Sequence, residues 1–479
     1  MTDHWGRIIV RLTTLEPGGI GAPGPVADDK GVHVPLQRRG GALHLPPTTV
    51  AGSLRAHVRA RRGPDAAVRL FGKIGDDAKD RAAVSRVGVL DTRMVPAADN
   101  GDTETRTGTA HDRIRGAAAN QTLRTMEVAS AGSSWDIYLS YEVAPGTTPA
   151  ADEWPELLED IACWAPLLGR GVTIGRGRTY VSDMFAGTLD LSDSKNLLTF
   201  LTHHGPDLAA AVVTRYAVPG NPPPPLTPRH ELACTITQAT HVGSGETYTA
   251  PGGAPNGSTS EGAPPNLDDD QHQVAAVMQS AGVPIVPGSS LKGVMRSRIE
   301  YILRSVKSTP MPCIDQSCGD CFTCRVFGFS GRKNTNGDPT RQARGRIRFE
   351  DAPITGATTT RTHAPIDRFT GGVAQQTRLR DNDDSMRATR EQFGLLHTRE
   401  VVEYGTFAIR LIDLGLDGDD ALLSALLRLA IEDFNDGLVG IGGSTTRGYG
   451  RVFIETSTLP ELSDAQATLA RHVGAGGTI

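Results

Sequence analysis

The sequence predicts an α+β protein built from two tandem ferredoxin-like (RRM-like) units. Three observations carry that prediction. The chain has 479 residues, too many for one ordinary domain and enough for two or three. A set of motifs occurs twice in the same order. Each occurrence interleaves strand-like stretches with two helical ones, the pattern of an α+β unit. A hydrophobic content of 38% supplies sizeable cores, which excludes a disordered tail or a disulfide-stapled mini-protein. The 55 glycines and 31 prolines exceed the ~12% typical of the two together, so many turns and long loops are expected and an all-helical fold is not. Apolar runs fall short of the ~20 residues of a membrane span, and the start MTDHWGRIIVRL lacks a signal-peptide layout. The chain reads as soluble and cytoplasmic, with no membrane partner.

The repeat is explicit. Leu45-Pro-Pro-Thr-Thr-Val-Ala-Gly-Ser-Leu-Arg55 lies without gaps on Val286-Pro-Gly-Ser-Ser-Leu-Lys-Gly-Val-Met-Arg296. Leu70-Phe71-Gly72 matches Val326-Phe327-Gly328, and Ser85–Asp91 matches Gly345–Asp351. His111-Asp112-Arg113 matches Ile366-Asp367-Arg368, and Pro166–Arg178 lies on Gly437–Tyr449. The order indicates a tandem duplication. Residues 1–190 form a first domain, 191–228 a helical and Pro-rich linker, and 229–479 a second domain. Asn196–His204 and Asp207–Tyr216 look helical, and Asn221-Pro-Pro-Pro-Pro225 is a stiff extended spacer. His230–Gln238 reads as the first strand of the second copy, and Val242–Pro265, rich in Gly, Pro, Ser and Thr, as a mobile loop. Val294, Ile299, Ile302, Leu303 and Val306 recur at helical spacing, with Ser289 or Ser290 as N-cap. Ile347 and Phe349 alternate with Arg346 and Arg348 as a half-buried strand should, and Val452–Ile454 reads as a further strand.

Net charge is −5, so no global positive field draws in nucleic acid. Local asymmetry is present. Gly31–Pro64 contains Arg38, Arg39, Arg55, Arg59, Arg61 and Arg62 with no acidic residue. Between Asp160 and Asp183 the charged residues are Arg170, Arg176 and Arg178. Together these stretches favour an anionic polymer over chance solvated faces. Pro287-Gly-Ser-Ser-Leu-Lys292-Gly293 lacks the Gly-Lys-Ser/Thr order of a nucleotide-hydrolysing loop. A helix starting there presents free backbone N–H groups, and Lys292 and Arg296 in its first turns oppose the macrodipole unless an anion sits beside them. The alternative is that Lys292 points to water. Ala51 occupies that place in the first copy, so Arg55 would compensate. The Gly-rich segments Gly169–Arg178 and Gly440–Arg451 allow close backbone approach to a phosphodiester, with Arg176 and Arg447 at matching places, or simply turn tightly.

Cys313-x4-Cys318-x2-Cys321-x2-Cys324 is the most specific signal: four thiolates within twelve residues can close tetrahedrally on a structural zinc, with redox thiols as the alternative. Four protein ligands leave no open position, so such a metal is not a reaction centre. Cys163 and Cys234 look like isolated buried thiols. Asp28 and Asp29 precede the first helix of copy one, and Asp268, Asp269 and Asp270 that of copy two. Carboxylates in a basic groove could hold a divalent metal or position a 2′-hydroxyl, or could be merely solvated.

Pro-Gly-Ser-Ser-Leu-Lys-Gly, then Asp367-Arg368-Phe-Thr-Gly-Gly, then Gly443-Ser-Thr-Thr-Arg-Gly-Tyr-Gly450 strongly resemble the RAMP superfamily, and more narrowly the fused backbone subunits of type III (III-D-like) CRISPR effector complexes. The resemblance covers nearly all of copy two and, more weakly, most of copy one. It implies two RAMP domains that bind a CRISPR RNA guide through the helix start at Ser289, Ser290, Lys292 and Arg296 and the Gly-rich loops. It also implies β-hairpin thumbs at His111–Thr122 and Ile366–Thr377, carrying Arg113 and Arg368, which displace one nucleotide of a guide–target duplex. Complementary target RNA would be cut beside it by Asp28 or Asp29 and one of Asp268–Asp270, with magnesium or manganese. Other type III effector subunits are the implied protein partners. Two rivals remain: a non-catalytic binding subunit of the same assembly, and a guide-processing ribonuclease using a histidine base, for which His33, His44 and His57 are available.

Overall fold

The computed structural model describes residues 5–24, 26–28, 31–73, 82–96, 103–113, 117–119, 122–143, 149–219, 222–249, 273–308, 311–313, 318–329, 342–372, 375–380, 389–394, 397–416 and 418–474. The chain divides into two units, Met1–Ala110 with Ala118–Leu226, and His111–Ala117 with Thr227–Ile479. Each has its own hydrophobic core. No helix among the described residues is long and apolar enough to cross a membrane.

In the first unit, Trp5–Thr14 alternates strictly enough to bury Ile8, Val10 and Leu12 on one face. It lies between Ser134–Glu142 and Thr179–Leu189, both antiparallel, and Val87–Val95 pairs with the outer side of Ser134–Glu142. The helix Pro47–Arg62 follows the first of these strands and Glu153–Ala162 follows the third. Numbered by appearance, the four strands lie in the order fourth, first, third, second. Pro47 at the first helical position is preset for helix, Val50, Leu54 and Val58 give one buried stripe, and Gly63 at φ 88° ends it. The helix Gly205–Val212 buries Leu208 and Ala209, and Thr214–Tyr216 adds a fifth strand beside Thr179–Leu189. The expected helix through Tyr216 therefore stops at Val212, where β-branched Val213 and Thr214 turn the chain into the sheet.

The second unit has the same strand order: Val452–Ile454, His230–Ile236, Gly405–Asp413, Ile347–Phe349. The helix Gly288–Ser305 follows the first strand and Asp420–Asn435 the third. His230–Ile236 shows perfect in–out alternation. The buried stripe of Gly288–Ser305 is Leu291, Met295, Ile299 and Leu303; Val294, Ile302 and Val306 of the expected stripe only flank that core. Ile347, Arg348 and Phe349 are all buried, so the half-exposed strand expected there is covered on both faces, with Arg348 Nε 3.7 Å from Glu350.

A smaller sheet accompanies each main one. In the first unit it comprises Val26–Asp28, Gly31–Val34, Arg124–Ala129 and Thr103–Gly108; in the second, Gly243–Thr249, Gln273–Val277, His397–Val402 and Thr358–His363. Both contain one parallel pairing between the second and third strands named. The stretch from Val242, read as loop, thus begins with a strand to Thr249, since Thr247, Tyr248 and Thr249 favour and find a ladder. Residues 250–265 lie outside the described residues.

Candidate nucleic-acid interface and metal centre

The helix starts are built alike. Pro46 and Pro287 take the N-cap positions, and neither cap makes a side-chain hydrogen bond. The N-cap expected at Ser289 or Ser290 is therefore displaced: Pro287, extended, follows directly on the strand Val283–Val286, and the Asp351 carboxylate accepts from Gly288 N–H at 2.8 Å. Ser289 is exposed and Ser290 half-buried in the first turn. Burial and the neighbouring Arg296 lower the Lys292 ammonium to about 8. Arg296 donates to Glu300 at 2.8 Å and to Gly328 O at 2.8 Å, so its guanidinium is held inside the unit. In the first unit Arg55 is exposed at the equivalent place.

The Gly-rich turns superpose in a register the sequence comparison missed. Leu168 N–H bonds Gly177 O, and Ile441 N–H bonds Gly450 O. Gly169, Gly171, Gly175 and Gly177 adopt φ of 84°, 83°, 82° and 81°; Gly442, Ser444, Gly448 and Gly450 adopt 93°, 59°, 84° and 74°. Left-handed positions set by the fold align Arg176 with Tyr449 and Ile174 with Arg447, two residues away from the alignment by letters. Arg176 and Arg447 are accordingly not at matching places: Arg176 is 6% exposed and Tyr449 is buried, whereas Arg447 is exposed. The remaining arginines of the first turn also serve their own unit, Arg170 bonding Ala22 O at 3.0 Å and Arg178 bonding Pro224 O at 2.8 Å.

The acid-free stretch is basic in sequence more than in space. Arg38 pairs with Glu127, Arg39 with Asp91, Arg61 with Asp160, and Arg62 with Glu156, Glu159 and Asp160. Arg55 and Arg59 remain exposed. His57 Nε2 lies 2.9 Å from Asp160 O and His44 Nδ1 3.2 Å from Thr92 Oγ1, both structural bonds, while His33 sits in the strand Gly31–Val34.

Asp28 ends the short strand Val26–Asp28, its side chain beyond description, and Asp29, Asp268, Asp269 and Asp270 lie outside the described residues. In sequence, Asp29 and Asp268–Asp270 fall between the first and second strands of the respective smaller sheets, and Asp28 ends the first of them. Of the hairpin arginines, Arg113 pairs with the fully buried Glu300, and Arg368 is exposed. The turn after Asp367, whose carboxylate accepts from Phe369 N and Thr370 N, leaves Phe369 99% exposed.

Cys313, Cys318, Cys321 and Cys324 converge, their sulfurs all within 4.8 Å of one another. Cys313 Sγ lies 3.3, 3.5 and 3.5 Å from the other three. Tetrahedral zinc with bonds of ~2.3 Å needs sulfur–sulfur edges of about 3.8 Å, a slight expansion. Cys318 N and Cys321 N point at Cys313 Sγ and Cys318 Sγ at 3.1 and 3.2 Å, donors that favour thiolate. A hydrogen bond from Cys324 holds Cys321 down at about 3. Donor set and geometry fit one metal ion such as zinc. Cys321 caps the helix Phe322–Phe327, whose Phe322, Val326 and Phe327 enter the main core, so the metal loop is tied directly to it. Cys234 is buried as expected, its thiol pushed up to about 12. Cys163 is exposed instead, because it sits past the last turn of Glu153–Ala162.

Sequence reasoning missed one cluster. On the second unit's smaller sheet, His363 stands opposite His397 and Arg361 opposite Arg399, on one face. The imidazoles stack with centroids 5.1 Å apart, His363 Nε2 is 2.9 Å from Tyr449 Oη, and Arg399 Nη1 donates to Ser444 Oγ at 2.5 Å. The visible signal was Arg361-x-His363 and His397-x-Arg399, period-two pairs on two strands.

A family model of the RAMP superfamily matches residues 234–453. A protein of Methanothermobacter thermautotrophicus named CRISPR system Cms endoribonuclease Csm3 is 31% identical over 179 residues, which make up 36% of this chain and 66% of that protein, just under two thirds of its length. The helix start after Pro287 and the Gly-rich turn at Gly440–Gly450 both fall within the matched residues, so it is the second unit, over residues 234–453, that is similar to the RAMP superfamily.

Proposed function

We propose that this protein is the CRISPR RNA-binding backbone subunit of a type III effector complex, two backbone-type RAMP domains fused in tandem, acting in the cytoplasm with other effector subunits. The observation that carries the reading is the shared element plan of the two units. Each has a Pro-capped helix start, a Gly-rich turn with left-handed residues, and a hairpin inserted between the last two strands of its smaller sheet. The match to the RAMP superfamily and to a relative named a CRISPR endoribonuclease supports the same reading. Guide phosphates lie along Arg55, Ser289, Ser290, Lys292 and the Gly-rich turn with Arg447; Arg368 and Phe369 belong to the thumb of the second domain. The four cysteines hold a structural zinc.

Target RNA complementary to the guide is cut with magnesium or manganese by a carboxylate of Asp28 or Asp29, or of Asp268, Asp269 or Asp270. Support for this comes from the sequence position of both groups, each at the end of or after the first strand of its smaller sheet; a carboxylate with a divalent cation can activate a 2′-hydroxyl beside a phosphate. The test has two parts. Co-expressed with a CRISPR array, the full chain should carry array-derived RNA through purification; an RNA-free protein that does not bind the transcript overturns the binding role. In the assembled complex with magnesium, Asp28→Asn/Asp29→Asn and Asp268→Asn/Asp269→Asn/Asp270→Asn are assayed on labelled target. Undiminished cutting by both overturns the catalytic assignment and leaves the binding role standing.

A further inference from the structure

The second unit places four basic side chains where a sheet ordinarily avoids them. Arg361 faces Arg399 and His363 faces His397 in directly opposed cross-strand pairs, and like charges so placed repel. The same alternation brings all four to one face, which is covered in part by the Gly-rich turn: His363 and Arg361 both approach the Tyr449 ring, at 5.5 and 5.7 Å. Arg399, Arg447 and His397 line an open cleft of about 440 Å³ with Thr247, Gln273 and Thr398.

The charge is not balanced locally. Arg361 has a carboxylate partner, Glu403, at 2.6 Å. Among the described residues Arg399 and Arg447 have none; Arg399 meets a neutral serine hydroxyl. Glu400 is 8% exposed and is turned inward to accept from Val277 N at 2.9 Å, and His241 is bonded through Nδ1 to Glu400 O at 2.7 Å. The groups that act on His363 are thus His397, Arg361 and Arg399 from the sheet and Arg447 and Tyr449 from the turn, while Glu403 is taken up by Arg361 and Glu400 by Val277 N. The sum is cationic. Burial, then His397 and the surrounding arginines, keeps His363 below the usual imidazole range while no anion is present.

The first unit does not have this arrangement. By ladder register its equivalent residues are Arg106 and Met126, then Gly108 and Arg124, and Arg106 is 3% exposed and paired to Glu104.

We infer that this face is a phosphodiester-binding cleft special to the second unit, in which His363, stacked on His397, makes the grip on single-stranded RNA tighten as pH falls. An RNA phosphate supplies the missing negative charge to Arg399 and Arg447. In doing so it makes the protonated His363 imidazole favourable where the empty cleft makes it unfavourable. The inference deepens the RNA-binding reading and rests on it.

The experiment uses the full chain and a fluorescently labelled single-stranded RNA at constant ionic strength. Wild-type affinity should rise about three- to fourfold between pH 7 and pH 5.5, a window below the Lys292 ionisation near 8, as expected for one imidazole whose ionisation shifts by a unit on binding. Calorimetry at pH 7 in two buffers of different ionisation heat should show net proton uptake by wild-type protein, a readout that needs no variant to fold. His363→Gln/His397→Gln should bind RNA with a flat pH profile and without that uptake, and Arg399→Gln should weaken binding at both pH values. RNA binding with no proton uptake, or a double variant that keeps the pH profile, overturns the inference while the functional reading survives. No RNA binding at any pH overturns both. Inorganic phosphate is the second arm: saturation by phosphate at the concentrations that suffice for RNA makes this a free-phosphate site and overturns the RNA assignment.

Discussion

Replacing Gly450 by alanine separates two reasons for a glycine in the Gly-rich turn. If glycine is there so that RNA can come close, Gly450→Ala should spare stability and cost binding. The structure assigns the opposite. Gly450 has φ 74°, and a Cβ on it would lie 2.2 Å from Ile441 O and 3.0 Å from Ile441 N, backbone atoms that cannot step aside. The left-handed conformation costs a non-glycine residue about 1–2 kcal/mol. The clash breaks the 2.9 Å bond from Ile441 N to Gly450 O, which closes the turn. Adding about 1 kcal/mol for that bond gives a loss of about 3 kcal/mol.

Gly448 supplies the internal control. Its φ is 84°, but a Cβ there meets nothing nearer than Gln238 Oε1 at 3.5 Å. Gly448→Ala should therefore lose only the conformational part, about 1–2 kcal/mol. In scanning calorimetry Gly450→Ala should lower the melting transition of the second unit by about 6–12 °C and Gly448→Ala by about half as much. If Gly450→Ala melts with wild type and fails only in RNA binding, steric closure of the turn is the wrong account of that glycine.

Three further outcomes follow from the geometry. Cys324→Ser, or chelator treatment of the wild type, should destabilise the second unit and leave the first unit's transition in place, read as loss of one calorimetric transition with stoichiometric zinc release; coincident melting of both units would count against a metal tied to one core. Glu300→Ala leaves Arg296 and Arg113 without their fully buried partner and should cost about 3–5 kcal/mol in urea unfolding, whereas an effect below about 1 kcal/mol would mean the cluster is solvated. Lys292 titrates near 8 in the folded chain, below the ordinary lysine range. Between about pH 8 and pH 10 the unfolded state therefore holds the proton that the folded state has lost, so stability from this group rises with pH in that window. Lys292→Met should remove that slope in unfolding titrations, and an unchanged slope refutes the assignment.

Much of the backbone plan was readable because it rests on local rules. Alternation in His230–Ile236 follows from period alone, and apolar spacing reveals the helix after it, although the serines place its start two or three residues later than Pro287. The four cysteines were readable because their chemistry is confined to one short loop. What failed was long-range. Nothing local says that Arg348 will be covered on its second face, that Asp351 will cap Gly288 from 63 positions away, or that Arg38, Arg39, Arg61 and Arg62 will each find a distant carboxylate. Matching letters also misled where Gly-x-Gly repeats within itself, since a two-residue slip scores well while placing every left-handed position wrongly.

That slip matters for how each unit can hold a phosphate. A left-handed residue fixed by backbone contacts cannot drift without breaking the turn, so both units keep those positions, whereas the side chains between them are free to diverge. In the first turn Arg170, Arg176 and Arg178 are turned back on their own unit; in the second, Arg447 stands exposed at the cleft. The two turns should therefore answer differently to loss of a cation. Arg447→Gln should weaken RNA binding across sequences and reduce the salt slope of log affinity by about 1, with little change in melting, as removal of one phosphate contact requires. Arg176→Gln should do the reverse, lowering the first unit's melting transition and leaving the salt slope as it was. An Arg176 variant that loses salt-dependent affinity at unchanged stability would restore the equivalence of the two arginines and undo the structural register.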